Sequence, residues 1–294
     1  MTADYVYIKL DENNPGIADD RTIQGINLGT RFDAWNGELE AYYLNKRDKN
    51  GVTPNIDKDG SESTIGIRGS VQPADGASVY SELAYQFGRR APSYDGESAT
   101  NGVRVGDALQ AWAFDLGLDF TFKDVPTSPK IGAEWIYYSG QDIAGGGGTA
   151  NTGWSPIAPS YFPTLLRSFQ TRSTAAGLYP VDQTGVTSAF TNQSEIALYG
   201  SLKPIEDLTV GQRLSLFWSA EPITPVFSGG TTPKRQSFLG TEWDTRVAYA
   251  YTDDVTLGVD YGIFFPGTVF HHASLAASGQ DRAQELVTSV SVKF

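Results

Sequence analysis

Cysteine is absent from this chain of 294 residues, methionine occurs once and histidine twice. The lack of cysteine excludes a disulfide framework and thiolate metal sites. It suits a protein that crosses an oxidising compartment. Long apolar runs are missing too. None approaches the roughly 20 residues that a membrane helix needs, which argues against a helical membrane protein and says nothing against spanning strands, which are only half apolar. Positive charge is scarce: 22 lysines and arginines stand against 34 aspartates and glutamates, a net charge of -12. Nucleic acid and an anionic bilayer surface are therefore disfavoured as main partners. An anionic ligand remains compatible, because a pore selects through the local charges of its lumen. A secretory signal is lacking as well. Met1, Thr2, Ala3 and Asp4 lead straight into strand-like sequence. An exported form would have lost its signal, or this chain would be a piece of a longer one.

What the chain has in quantity is Tyr (15), Phe (15), Trp (6) and Gly (32), which suits a β-rich protein with many turns. The clearest pattern lies in residues 284–294. Leu286, Thr288, Val290, Val292 and Phe294 share one parity, whereas Glu285, Ser289, Ser291 and Lys293 share the other. Side chains of a strand alternate between faces, so one face is apolar and one polar. The same alternation sets Trp112, Phe114, Leu116, Leu118, Phe120 and Phe122 against Ala113, Asp115, Gly117, Asp119 and Thr121. Val287 and Gln212 break the pattern in their own segments.

About twelve such segments are predicted, an even number suited to a bacterial barrel. They cover 3–11, 22–33, 38–46, 63–72, 78–89, 109–123, 130–140, 194–203, 208–219, 238–252, 255–265 and 284–294. Short links with turn chemistry alternate with long ones. Asn36-Gly37 tolerates the positive φ of a tight hairpin, and Pro73, Gly76, Pro126, Pro204 and Asp253-Asp254 mark the other short links. The long links are 12–21, 47–62, 90–108, 141–193, 220–237 and 266–283. Strict alternation of this kind belongs to an antiparallel transmembrane β-barrel with short periplasmic turns and long extracellular loops. In that orientation Trp112, Trp218 and Trp243 fall near the outer ends of their strands, and Phe120, Phe122, Tyr251 and Phe294 near the inner ends. Two aromatic levels are what the two membrane interfaces favour. The expectation is a single all-β domain over residues 1–294 in the bacterial outer membrane, in contact with its lipid. A soluble sandwich with its apolar faces packed together is the competing architecture. If the barrel closes on itself, segments 3–11 and 284–294 must pair; otherwise they are part of a wider wall.

The run from Phe238-Leu-Gly-Thr-Glu-Trp-Asp-Thr through Tyr261-Gly-Ile-Phe-Phe-Pro-Gly267 resembles the alginate export family of outer-membrane porins. So do Tyr138-Ser-Gly-Gln-Asp142 and the later Ser160-Tyr-Phe-Pro-Thr164. The resemblance implies a channel for an anionic polysaccharide or a related solute, with periplasmic export partners and no cofactor. Family members look longer, as barrels of about eighteen strands, and this chain lacks several. A general or sugar-selective porin is the alternative channel, and a soluble carbohydrate-binding β protein the alternative outside that class.

Parity places Arg31, Arg68, Arg213, Arg246, Glu134, Glu195, Glu242, Asp244 and Tyr199 on the lumen side as a candidate solute path. Arginine's planar fork can hold a uronate carboxylate through two hydrogen bonds. Alternatively, these charges pair with one another and stiffen the wall. Arg213 and Arg246 are expected to form part of a constriction. The link 141–193 carries glycines at 145–148 and then Trp154, Tyr161 and Phe162. It is expected either to enter the barrel mouth, with Trp154 and Tyr161 stacking on sugar rings, or to stay outside as a mobile loop. Catalysis has little support: adjacent His271 and His272 in a long link give no base–orienter geometry. Metal binding would need further ligands. The run Ile56-Asp-Lys-Asp-Gly60 has Arg68 where a calcium loop needs its bidentate glutamate.

Overall fold

The computed structural model describes residues 1–11, 21–48, 60–89, 108–140, 150–154, 164–166, 191–223, 235–270 and 282–293. Twelve long strands follow one another: β1 (Thr2–Asp11), β2 (Arg21–Phe32), β3 (Gly37–Asp48), β4 (Gly60–Val71), β5 (Ala77–Arg89) and β6 (Ala108–Thr121), then β7 (Lys130–Tyr138), β9 (Gln193–Ile205), β10 (Leu208–Ile223), β11 (Gln236–Ala250), β12 (Val255–Pro266) and β13 (Ala283–Val292). Between β7 and β9, the two-residue β8 (Ala150–Asn151) pairs in parallel with the outer end of β6. Every long strand is hydrogen-bonded antiparallel to its neighbours in chain order. This is the up-and-down wall of a transmembrane β-barrel. Among the described residues β1 pairs only with β2 and β13 only with β12, so no ladder joins the two ends.

Each short link is tight, with small departures from expectation. The turn between β2 and β3 takes its positive φ from Trp35 (58°) and Asn36 (47°), while Gly37 is extended and opens β3. Pro204 lies inside the end of β9, and the turn itself shrinks to Glu206 and Asp207. The longer turn after β6 is closed by Phe122 N–H donating to Pro129 O (2.8 Å) and Ser128 N–H donating to Val125 O (2.8 Å). From this turn Lys123 reaches Asp75 at 2.5 Å, and the ammonium holds that carboxyl below the usual range.

Register turns the alternation into continuous rows. Ile26, Tyr43, Ile65, Tyr85 and Trp112 are direct cross-strand partners from β2 to β6. Leu118, Ala133, Leu198, Leu214, Trp243 and Ile263 make a second row from β6 to β12. The large members of both rows face outward: Ile65 is 54% exposed, Leu118 53% and Trp243 53%. The opposite face is the buried one, and it is polar. Gln86, Glu195, Ser215 and Glu242 are buried there. A soluble sheet would bury the first set and expose the second. The inversion is intelligible only if hydrocarbon covers the outside, where apolar contiguity on this scale otherwise promotes association.

Gln212, the polar residue on the outward face, is also accounted for. Its Oε1 accepts from Trp243 Nε1 (2.6 Å) and from Thr245 Oγ1 (2.9 Å), so three polar groups of the apolar face satisfy one another.

Candidate solute path

The inner face carries three tyrosines that lie flat across a glycine of the adjoining strand. Tyr42 covers Gly66, Tyr80 covers Gly117 and Tyr199 covers Gly132, each a direct register pair. A Cβ at Gly117 would sit 2.0 Å from the Tyr80 ring, so only glycine lets the ring lie down. The flat pose carries the hydroxyl one strand further. Tyr42 donates to Glu82 on β5 (2.5 Å), and Tyr80 donates to Glu134 on β7.

Glu134 continues into the most buried ionic group of the wall. Arg213 Nη2 donates to Glu134 Oε2 (2.6 Å) and to Glu195 Oε1 (2.7 Å), and Ser215 Oγ donates to the same Glu195 oxygen (2.8 Å). The side chains of Arg213, Glu134 and Glu195 are only 11%, 11% and 1% exposed. The guanidinium also lies 5.7 Å from the Tyr199 ring centre. Its Nε and Nη2 are thus committed to two carboxylates and the Ser215 hydroxyl.

The other predicted arginines are engaged as well. Arg31 pairs with Glu38 (2.7 Å) at the periplasmic rim, Arg68 with Glu40 (2.5 Å), and Arg246 with Asp260 (2.7 Å). Arg213 and Arg246 lie close together on the wall. Both line one recess of about 330 Å³ on the inner wall of β9–β12, with Lys130, Tyr199, Asp244 and Leu165 around it. A second recess, about 270 Å³, lies on β3–β6 between Glu40, Arg68, Tyr80, Glu82 and Asp115.

The link between β7 and β9 packs inward at two places. At its root, Ser139 O accepts from Trp154 N–H (2.9 Å) and Asn192 N–H (3.1 Å), while Ser139 Oγ donates to Thr152 O (2.7 Å). Trp154 then settles on Ala84, Leu109, Ala111, Ala113 and Tyr138, the inner face of β5–β7, and is buried. An indole sealed against the wall cannot stack on a passing sugar, so that expected role is corrected. Tyr161, Phe162, His271, His272 and the run 56–60 lie outside the described residues.

The second inward contact was not anticipated. Leu166 packs on Phe217, Leu239, Phe264 and Val269, on the inner side of β10–β12 near its outer end. Backbone N–H groups anchor it: Leu166 donates to Glu242 Oε1 (2.6 Å) and Leu165 to Asp244 Oδ1 (3.4 Å). Glu242 and Asp244 therefore hold a segment of the link. The signal was present in Phe217 and Phe264, large aromatics on the parity that should be polar, which require something apolar to cover them.

The family model described as alginate export matches residues 15–284 of this chain. No curated protein matches. Among solved structures, the NanC porin aligns with a TM-score of 0.37 at 11% identity, over 93% of this chain and 94% of that one. The KdgM porin aligns with 0.33 at 7% identity, over 100% and 99%. The ferric-catecholate import receptor Fiu from E. coli K12, in its open form, aligns with 0.38 at 10% identity, over 91% of this chain and 50% of that one.

Proposed function

This chain belongs to the alginate export family and is an outer-membrane channel; from that premise we propose that it passes small hydrophilic solutes of the sugar class through a bore narrowed at its outer end. The observation that carries the reading is the inward packing of one link on both flanks. Trp154 occupies the β5–β7 wall and Leu166 the β10–β12 wall, so side chains of this link take up space that solute would otherwise use. A sliding charged polymer needs a wide path and exposed fixed cations along it. The lumen arginines expected to supply those cations are instead bonded to carboxylates. An arginine already bonded to a carboxylate has fewer donors left for a passing anion.

An anionic polysaccharide is the second reading, favoured by the family match itself. The recess with Lys130, Tyr199 and Arg246 is the part of the wall that would meet a uronate unit, because Arg246 is half exposed and Tyr199 offers a ring face. The two readings separate in a liposome-swelling assay with the purified chain. Mono- and disaccharides should enter quickly, and rates should fall steeply for longer oligomers. Oligouronates crossing faster than neutral sugars of equal length would reverse the choice.

A further inference from the structure

A tyrosine laid flat on a glycine keeps one ring face for the wall and turns the other to the bore. Tyr42 on β3 covers Gly66 on β4, Tyr80 on β5 covers Gly117 on β6, and Tyr199 on β9 covers Gly132 on β7. The three tiles therefore succeed one another along the wall from β3 to β9. Tyr80 and Tyr199 reach towards each other from β5 and β9, and their side chains interact over β6 and β7. All three residues are half-buried. The hydroxyls of Tyr42 and Tyr80 are held by Glu82 and Glu134. These rings are fixed before any solute arrives, so little side-chain freedom is lost on contact.

A bracing role needs the hydroxyl, whereas a recognition role needs the ring face. The surroundings favour recognition at two of the tiles. Tyr199 borders the recess on β9–β12, where Lys130 Nζ stands 5.9 Å from its ring centre and half-exposed Arg246 pairs with Asp260. Tyr80 borders the recess on β3–β6, where half-exposed Arg68 pairs with Glu40. The negative face of an aromatic ring attracts the polarised C–H groups of a pyranose. An acid–base pair beside it offers an acceptor and a donor to neighbouring sugar hydroxyls, and its cation also attracts a carboxylate where the sugar carries one. A ring face with a few convergent polar groups at the rim of a cavity is suited to a small-molecule site.

We propose that Tyr80 and Tyr199, with Tyr42 beyond them, form a stacking platform on which pyranose units pause as they cross the bore. The proposal rests on the reading of the chain as a sugar channel and names the side chains that the sugar touches there. Neutral and uronate units use the same platform, because the C–H face of the sugar is what meets the ring.

The test is the interruption of single-channel current by added sugar in a planar bilayer, with the purified full chain and with maltohexaose or a hexauronate as the probe. Both probes should interrupt the current in proportion to their concentration. Tyr80→Leu and Tyr199→Leu should each raise the concentration for half-block about tenfold. Tyr80→Phe and Tyr199→Phe, which keep the ring and lose only the hydroxyl, should stay within about twofold of the unsubstituted chain. Gly117→Ala and Gly132→Ala retain every other side chain but place a Cβ 2.0 and 2.4 Å from the Tyr80 and Tyr199 rings, which must then leave the flat pose. These two variants should weaken block at least about threefold, and they decide the matter if a leucine variant opens no pore. Phenylalanine variants that weaken block as much as leucine, or leucine or alanine variants that block like the unsubstituted chain, overturn the platform. Sugars that enter proteoliposomes yet never interrupt the current also overturn it and leave the sugar channel in place. Sugars that neither enter nor interrupt overturn both.

Discussion

At the residue scale, the inner wall contrasts two arginines on adjoining strands. Arg213 is nearly buried between two carboxylates, whereas Arg246 is 54% exposed beside Asp260. Removing a partner from a buried ionic group leaves charge without compensation, which typically costs about 3–5 kcal/mol. An exposed pair contributes about 0–1 kcal/mol. Arg213→Ala should therefore lower stability severely, since Glu134 and Glu195 would lose their shared cation and keep only the hydroxyls of Tyr80 and Ser215, and Arg246→Ala should barely change it. Urea titrations in one detergent, following tryptophan fluorescence, measure the difference. Equal losses for the two variants would show that the Arg213 group is not the strut described here. The tyrosines follow the same logic of position. Their roles come from the glycine beside each one, which parity alone does not reveal, because the residue that matters has no side chain.

At the element scale, the link between β7 and β9 departs most from a plain barrel. Its hold on the wall is a small apolar cluster plus two carboxylates. Leu166→Ala removes most of the side chain that covers Phe217 and Phe264, at a cost of about 2–5 kcal/mol for a buried leucine. The segment should then leave the wall, and single-channel conductance should rise. A conductance equal to that of the unsubstituted chain would mean that the segment does not narrow the path. Much of the element plan was legible in the sequence. Strand positions, short turns and long links emerged from period-two alternation and turn residues, because a spanning strand has one lipid face and one inner face. What escaped was contact distant in sequence. Nothing in the 141–193 stretch announces which of its residues meet Phe217 or Glu242. Trp154 looked available for sugar when read alone, and only the alanines of β5 and β6 show the shallow seat that it fills.

At the scale of the whole molecule, the distribution of polarity is inverted relative to a soluble protein. Outward rows of isoleucine, leucine, tyrosine and tryptophan run in register across the sheet, and glutamate, glutamine and serine are buried behind them. A hydrophobic core of the usual kind is missing from the described residues, which hold only two small clusters, each built around the inserted link. The energetic weight carried by a core in a soluble domain here falls on the lipid. The sheet's two outermost strands, β1 and β13, are where backbone groups still need partners, since a bilayer interior tolerates no open edge. The solute class was the least legible property at this scale. It depends on which charges neutralise each other, and that follows from strand register rather than from any single segment.

The absence of cysteine allows the central claim to be measured position by position. Single cysteines placed in turn at Leu116, Leu118, Asp119, Phe120 and Thr121 of β6 can carry a nitroxide spin label in chain reconstituted into vesicles. The labels at 116, 118 and 120 should collide with dissolved oxygen and be shielded from a water-soluble nickel chelate, and those at 119 and 121 should show the opposite. Accessibility without a period of two, or exposure of 116, 118 and 120 to the nickel chelate, would contradict a lipid-facing outer wall.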